Sequence, residues 1–445
     1  MEWVNIAALR LESNVLHLPE FIVSDREKTM TLIFGERKTE ITTLPFSAHR
    51  PAAKKSLQLY LSQRVIDELL IPSDISYQLK IEGNTMILGP VIGLLLGQQY
   101  LYYNDKNMAE HTDAMCRYAN IGGLVFAFTP EGINFERRTI HGLYYNGSIW
   151  DYKELPFPSV IFRRGFQSNE KAVKKIKSVL GNIVFNSVRW DKWGIHCLLS
   201  KDRSLNRFLP ETYAVSGYEI VKAHLDKYDT VILKPANLSR GRGIFIINRA
   251  KNSFVVNDCQ KKEQTGSMIS ESQLVEFLKS GGFYKHRYIV QNRLDLACVN
   301  GSPFDIRVVM QKNASGEWQC SGIECRIAGV ERLISNIAQG GQALSVNRTL
   351  LLAFGPHIDS NAVKREIIAL SKNICRCMEQ KGDWFAELGL DIAIDKNRRL
   401  WFIEANVRPS FKGFKHMDYK NYLYICSRPI AYAAAVAGFN GRGCP

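Results

Sequence analysis

The sequence predicts an α/β protein built from more than one folding unit, and three observations carry that reading. Residues 1 to about 85 hold strand-like runs between charged turns, as in IVSDREKTMTLIFGERKTEITTLPF. From Thr85 onward, apolar strand-length runs alternate with helical stretches, the pattern of a parallel sheet joined by helices. Near the C-terminal end, LDIAIDKNRRLWFIEANVRP reads as two strands around a polar turn. With 445 residues, 46% hydrophobic and 23% charged, the chain has the length of two or three domains and the composition of a folded protein.

In order along the chain, SQRVIDELLI is a short helix, with Pro72 following it. TMILGPVIGLLL is a strand entering a Gly-rich turn. Asn107 to Asn120 is helical, and GGLVFAF is a buried strand. Further strands fall near Ile140 to Tyr145 and at SVIFRR. The helix Asn169 to Leu180 carries the lysines of KAVKKIK on a solvated face. Residues 182 to 291 form a second α/β unit, with strands TVILKPA, GIFIIN and RYIVQ, and KNSFVVND as a hairpin arm. Its helix, Glu271 to Lys279, stops at Gly281 and Gly282. From Phe304 the pattern is antiparallel: FDIRVVMQK, a turn at Asn313 to Gly316, then EWQCSGIECRIAG. Ser360 to Lys381 is a helix stopped by Gly382. The expected domains are 1–85, 86–181, 182–290 and 291–445.

Charge and cysteine usage bound the function. The formal net charge of +15 favours anionic partners: nucleotides, nucleic acid, acidic polymers or anionic membranes. The ten cysteines include no CxxC pair. A zinc site needs two properly spaced ligand pairs, so these read as reduced thiols of a cytosolic protein. MEWVNIAALR has no basic region followed by a long apolar run, so no signal peptide is expected. The most apolar run, Met86 to Leu96, is broken by glycine and proline and is too short to span a bilayer.

The C-terminal hairpin carries the sharpest chemistry. Asp391 sits at the start of its first strand, and Glu404 and Asn406 at the end of its second. Antiparallel pairing brings these ends together, and residues two apart share a face. Two carboxylates and an amide oxygen suit Mg²⁺, which takes hard oxygen ligands and substrate phosphates. A solvated hairpin edge is the plainer reading; it explains Asp395 to Arg399 but not acids flanked by apolar strands.

A second constellation is LKPANLSRGRGIF. Lys234 ends a strand, and Gly241 and Gly243 let backbone N–H groups approach phosphate oxygens. Arg240 and Arg242 add positive charge. This is no P-loop, because GxxxxGK[ST] is absent and a strand follows. A tight turn that needs glycine, or an RNA-binding RGRG segment, also fits. Arg307 lies inside the apolar strand FDIRVVMQ, where an ion pair, with Asp305 for example, and a phosphate are both fitting partners. Arg326 is a further candidate anion contact. Asn336, in SNIAQGG, lies in a loop.

The order of these elements resembles the ATP-grasp superfamily. Lys192 near a helix start, Lys234 on a strand and the flap Ser239 to Gly243 come first. The hinge strand Ile289 to Leu294, Arg307, Asn336 with Gly340 and Gly341, then Asp391, Glu404 and Asn406 follow. The resemblance covers about residues 85 to 430. More narrowly, FDIRVVMQKNASGEW, ISNIAQGG and GPVIGLLLG resemble the YheC/YheD family, endospore coat-associated ATP-grasp proteins of bacilli.

The resemblance implies an ATP-grasp fold with a Rossmann-like pre-ATP-grasp domain at 86–181 and a small β-rich module at 1–85. It also implies ATP and Mg²⁺ as ligands. Lys192 and Lys234 would contact the α- and β-phosphates, and Ser239, Arg240, Gly241, Arg242 and Gly243 would cover them. Gln291, Asn292, Arg293 and Leu294 would hold adenine, largely through backbone groups; many relatives carry an acidic residue where this chain has Asn292 and Arg293. Asp391, Glu404 and Asn406 would bind metal. Arg307, Arg326 and Asn336 would face the γ-phosphate or an acyl-phosphate. The expected activity is ATP-dependent carboxylate–amine ligation, acting on a coat protein or peptide, with cytoplasmic location and spore-coat association. The alternatives are a coat component that binds nucleotide without catalysis, and binding of an acidic polymer or RNA. A membrane span and a nucleic-acid partner are not expected.

Overall fold

The computed structural model describes residues 1–23, 28–48, 56–97, 103, 105–165, 170–238, 241–261, 266–284, 288–328 and 342–440. The chain divides into two compact units. One is Met1–Ser187 with Lys312–Glu317 and Leu423–Pro445; the other is Val188–Gln311 with Trp318–Tyr422.

The first unit opens with strands β1 (Glu2–Leu9), β2 (Val15–Pro19), β3 (Lys28–Phe34), β4 (Arg37–Phe46) and β5 (Leu57–Ser62). Helix α1 (Gln63–Leu69), β6 (Ser76–Glu82) and β7 (Thr85–Gly89) follow. The seven strands close a barrel in the order β1-β5-β2-β4-β3-β7-β6. Closure leaves no unpaired edge. Alternation fills the interior: Val4 and Ile6, Leu57, Leu59 and Leu61, and Met30, Leu32 and Phe34 are all buried in one cluster.

The run TMILGPVIGLLL is not one strand and a turn. It is β7 and β8 (Val91–Leu95), which belong to different sheets. Pro90 between them has no N–H to donate, so one continuous ladder cannot pass through it. After β8 come α2 (Asp105–Ala114), α3 (Tyr118–Ile121), β9 (Leu124–Phe128), β10 (Ile133–Asn134), β11 (Thr139–Tyr145), β12 (Trp150–Pro156), β13 (Val160–Arg163), α4 (Glu170–Leu180) and β14 (Val184–Phe185). The single helix expected over 107–120 is therefore two. The sheet order is β10-β11-β9-β8-β13-β14, with β12 on β11. The strands β9, β8, β13 and β14 run parallel, and β11 is antiparallel to β9. Every residue of β8 and β9 is buried, as in parallel strands covered on both faces. On α4, Val173 and Ile176 point inward while Lys171, Lys174 and Lys175 are exposed, the solvated face expected.

The second unit begins with α5 (Lys192–Leu199), α6 (Arg203–Asn206), β15 (Thr212–Ala214) and α7 (Tyr218–Tyr228). Then come β16 (Thr230–Pro235), β17 (Phe245–Ala250), β18 (Ser253–Asp258), β19 (Ser267–Ile269), α8 (Glu271–Ser280) and β20 (Tyr288–Asn292). The sheet β15-β20-β16-β17-β18-β19 is antiparallel at every pairing. The β16–β17 connection is too short for a crossover helix, which a parallel pair would need. Val221 and Leu225 of α7 and Leu274 and Leu278 of α8 bury Val231, Leu233, Ile247 and Val290 on one face. By alternation, Lys234 and Gln291 take the opposite face.

The rest of this unit is β21 (Cys298–Val299), β22 (Ser302–Lys312), β23 (Trp318–Ile327), β24 (Gln342–Leu344), α9 (Val346–Phe354), α10 (Ser360–Glu379), β25 (Glu387–Ile394), β26 (Leu400–Asn406) and α11 (Lys412–Met417); α12 (Tyr419–Val436) follows. Its sheet is β24-β23-β22-β25-β26, with β21 on β22. Asp359 caps α10 by accepting from the Ala362 N–H at 2.9 Å. Among the described residues, no helix is long and apolar enough to cross a membrane.

Gly123, before β9, has φ +75°, and a Cβ there would lie 2.3 Å from the Pro90 carbonyl oxygen. Both the left-handed backbone and the clash oppose a side chain. Gly123→Ala should lower unfolding stability by about 3 kcal/mol, read as a lower denaturant midpoint at unchanged slope.

Candidate functional site

The site grows from the register of three strands. Arg307 on β22 pairs directly with Asp391 on β25. Asp391 in turn pairs with Glu404 on β26, and Gly389 with Asn406. Directly paired residues share a face, so Arg307, Asp391, Glu404 and Asn406 all project the same way. Asp391 is the fifth residue of a strand that begins at Glu387, rather than its first.

A β-bulge makes this possible. Asp391 faces Glu404, but Ile392 faces Phe402, so Ile403 is an extra residue on β26. In a regular strand, Phe402 and Glu404 would share one face. The bulge lets Phe402 pack in the core beside Ile392 while Glu404 turns toward Asp391.

The polar contacts form one continuous chain. Asp305 takes both arms of Arg326, Nε and Nη2, at 2.6 Å each. Arg326 Nη2 also reaches Asp391 Oδ2 at 3.0 Å. Arg307 grips Asp391 in a fork, Nε to Oδ1 at 2.5 Å and Nη2 to Oδ2 at 3.1 Å. Asn406 Nδ2 donates to Asp391 Oδ2 at 3.3 Å and to Glu404 Oε1 at 3.1 Å. Glu404 Oε2 lies 3.5 Å from Lys192 Nζ, which donates to the Leu238 carbonyl at 2.5 Å. Lys192 is the first residue of α5, whose N-cap Asp191 accepts from the Gly194 N–H at 2.7 Å. Its backbone N–H is tied to the Ala236 carbonyl at 3.0 Å, next to the end of β16.

Burial sets the electrostatics. Asp391 is 4% and Arg307 6% exposed. Burial pushes the Asp391 carboxyl up, but Arg307 and Arg326 outweigh it and hold the group well below the usual carboxylate range. Glu324, two residues before Arg326, behaves oppositely. Burial raises it to about 7, with Arg307 and Arg326 pulling it down and Asp305 and Asp391 pushing it up. Its Oε2 is buried without a hydrogen-bond partner. It packs so closely on α11 that a Cβ at Gly413 would lie 1.9 Å from it.

Lys234 lies on the other sheet of this unit. It is partly buried, and burial and the neighbouring Lys192 lower its pKa to about 8. It donates to Gln291 Oε1 at 2.8 Å. Gly241 and Gly243 adopt φ +71° and +67°, the left-handed turn that glycine permits. Arg242 between them is exposed.

The structure thus gathers Arg307, Arg326, Asp391, Glu404, Asn406 and Lys192 in one chain of contacts, and Lys234 with Gln291 in another. Asn292 faces away from Lys234, because it pairs with Val231 on the α7 and α8 side. Arg293 and Leu294 lie past the end of β20. Ser239, Arg240, Asn336, Gly340 and Gly341 lie outside the described residues. The partner of Arg307 is Asp391, while Asp305 holds Arg326. Sequence reasoning passed over Glu324, Thr212 and the side-chain role of Gln291; a polar residue at alternate positions of apolar strands was the available signal.

The donor set fits a hard divalent cation. Two carboxylates and one amide converge, and the amide of Asn406 already bridges the two acids. Turning that amide over would present its carbonyl oxygen to the same spot. Among the described residues, no group of three or more His, Cys, Asp or Glu side chains could hold a metal, and the two carboxylates here would be joined by the amide, phosphates or waters.

A family model described as YheC/D like ATP-grasp matches residues 181–436. The endospore coat-associated protein YheD of Bacillus subtilis (strain 168) is 26% identical over 372 residues, covering 80% of each chain. The endospore coat-associated protein YheC of the same organism is 24% identical over 348 residues, covering 74% of this chain and 93% of the relative. Among solved structures, the VanG D-Ala:D-Ser ligase from Enterococcus faecalis aligns with TM-score 0.46 and 11% identity, covering 77% of this chain and 98% of that one.

Glu324 yields a pH prediction whose sign is fixed. Its folded pKa is about 7 against an ordinary 4.5. Between those values the folded state holds a proton that the unfolded state has lost. Its contribution to stability is therefore full below pH 4.5 and falls as pH rises toward 7. Glu324→Gln should gain on wild type across that window, by up to roughly 3 kcal/mol. Denaturant titrations at pH 5 and pH 8 read the difference; a gap that does not change with pH would contradict the assignment.

Proposed function

The chain belongs to the YheC/D-like ATP-grasp family, and on that premise we propose that it binds Mg²⁺ and ATP and acts as an ATP-dependent carboxylate–amine ligase. The observation that carries the proposal is the convergence of Asp391, Glu404 and Asn406 beside Lys192, Arg307 and Arg326. Hard oxygen ligands lie beside several cations in one place, as a metal–polyphosphate complex requires.

Bound Mg²⁺ would draw charge from the phosphates and stabilise the leaving diphosphate. Asp391, Glu404 and Asn406 would hold it. Lys192 and Lys234 would grip the α- and β-phosphates, and the turn at Gly241 to Gly243 would cover them. Gln291 to Leu294 would hold adenine along the backbone. Arg307 and Arg326 would steady the transferring phosphoryl group, exchanging part of their grip on Asp391 for phosphate oxygens. In the proposed reaction, a substrate carboxylate oxygen attacks the γ-phosphorus, and the bond to the β-phosphate oxygen breaks to release ADP. An amine then attacks the acyl carbon, phosphate leaves, and the amine gives up a proton. Both B. subtilis relatives carry endospore coat association in their names. We extend that association to this chain, with a coat protein or peptide as the substrate class.

Calorimetric titration with ATP, with and without Mg²⁺, tests the site. Wild type should bind in a Mg²⁺-dependent manner, and the Glu404→Gln, Asn406→Ala double variant should lose that dependence. Glu404→Gln alone should abolish ADP release without unfolding the chain, because charge neutralisation at the metal is worth several kcal/mol in phosphoryl transfer. Unchanged turnover in that variant would overturn the metal assignment. ATP binding with no ADP formed for any acceptor would favour a non-catalytic coat component.

A further inference from the structure

Gln291 was expected to serve adenine through its backbone; its side chain does something else. In the sheet register, Gln291 on β20 stands opposite Thr212 on β15 and Ile232 on β16. Lys234 is two residues along β16 from Ile232, so it is the diagonal same-face neighbour of Gln291. Both Gln291 and Thr212 are buried, at 7% and 4% exposure.

The three side chains form a directed relay. Thr212 Oγ1 donates its hydrogen to the Pro210 carbonyl at 2.8 Å. The hydroxyl oxygen is left as an acceptor, and Gln291 Nε2 donates to it at 2.7 Å. That bond fixes which end of the amide faces the lysine, and Lys234 Nζ donates to Oε1 at 2.8 Å. An ammonium has three donors, and the relay takes one of them in a defined direction.

We infer that Gln291, held by Thr212, is a neutral positioning residue that aims the Lys234 ammonium at nucleotide phosphates without cancelling its charge. The inference rests on the nucleotide reading above and deepens it. A carboxylate at the same position would orient the lysine equally well, but as an ion pair that competes with phosphate. The contrast lies within the same unit: Lys192 is shared with the Glu404 carboxylate, whereas Lys234 is held by an amide. The surroundings make an acceptor necessary. Burial and Lys192 drive Lys234 toward losing its proton, with Glu404 and Cys259 acting the other way. The Gln291 side chain acts through Lys234, while its backbone keeps the adenine role proposed above.

The test is calorimetric titration of the full chain with Mg²⁺ and ATP from pH 6.5 to 9, for wild type, Gln291→Leu, Gln291→Glu, Thr212→Val and Thr212→Ser. Phosphate binding needs the protonated lysine, so affinity is present below the Lys234 pKa and lost above it. Gln291→Leu should bind about tenfold more weakly, and its affinity should fall at lower pH than that of wild type. Gln291→Glu should also bind more weakly at neutral pH, with the fall moved to higher pH. Thr212→Val should move in the direction of Gln291→Leu, and Thr212→Ser, which keeps the hydroxyl, should restore wild-type values. That pair keeps the test decisive if Gln291→Leu fails to fold. Wild-type binding with unmoved profiles in Gln291→Leu and Thr212→Val overturns this inference alone. Absence of ATP binding by folded wild type overturns the nucleotide reading and this inference with it.

Discussion

The second unit is organised around one buried carboxylate. Asp391 is almost fully enclosed, and it is tolerable there only because Arg307 and Arg326 both hold it. Arg326 is also forked onto Asp305, and the Asn406 amide joins Asp391 to Glu404. Removing one member of such a set leaves an uncompensated buried charge, which costs far more than the contact itself is worth. β22, β23, β25 and β26 are therefore bound to a single mutual geometry by electrostatics as well as by backbone pairing. Through Glu404 and Lys192 the same set fixes the start of α5, and through its carbonyl it holds Leu238, just past β16.

What could be read from the sequence was what local pattern encodes. The hairpin, its polar turn and the three ligand candidates follow from apolar runs and spacing, and the order of the motifs identified the family. The bulge at Ile403 could not be read, because spacing alone places Phe402 and Glu404 on one face. The choice of partner for Arg307 was hidden for a related reason. Asp305 is its neighbour two residues back on the same strand face, but β23 brings Arg326 there to claim it. Such pairings depend on strand order, which no single segment contains. The run TMILGPVIGLLL misled in the same way: its hydrophobicity marks burial, and only Pro90 signals that two sheets share it.

The two lysines show how polar neighbours divide the labour within this unit. Lys192 is balanced by Glu404, and Lys234 is held by an amide that brings no opposing charge. Without ligand, the acids and bases of the Asp391 set largely neutralise one another. On the proposed reading, a polyphosphate arriving alone would draw off the arginines and Lys192, and leave the buried Asp391 and the partly buried Glu404 unpaired. A divalent cation arriving alone would take the acids and strand the bases. Each ligand supplies the counter-charge that the other removes. Metal and nucleotide are therefore expected to bind with positive coupling, and linkage makes that coupling equal in both directions. The strong pairing around Asp391 is then no obstacle to a metal site. It holds the site closed to either ligand by itself and yields to the two together.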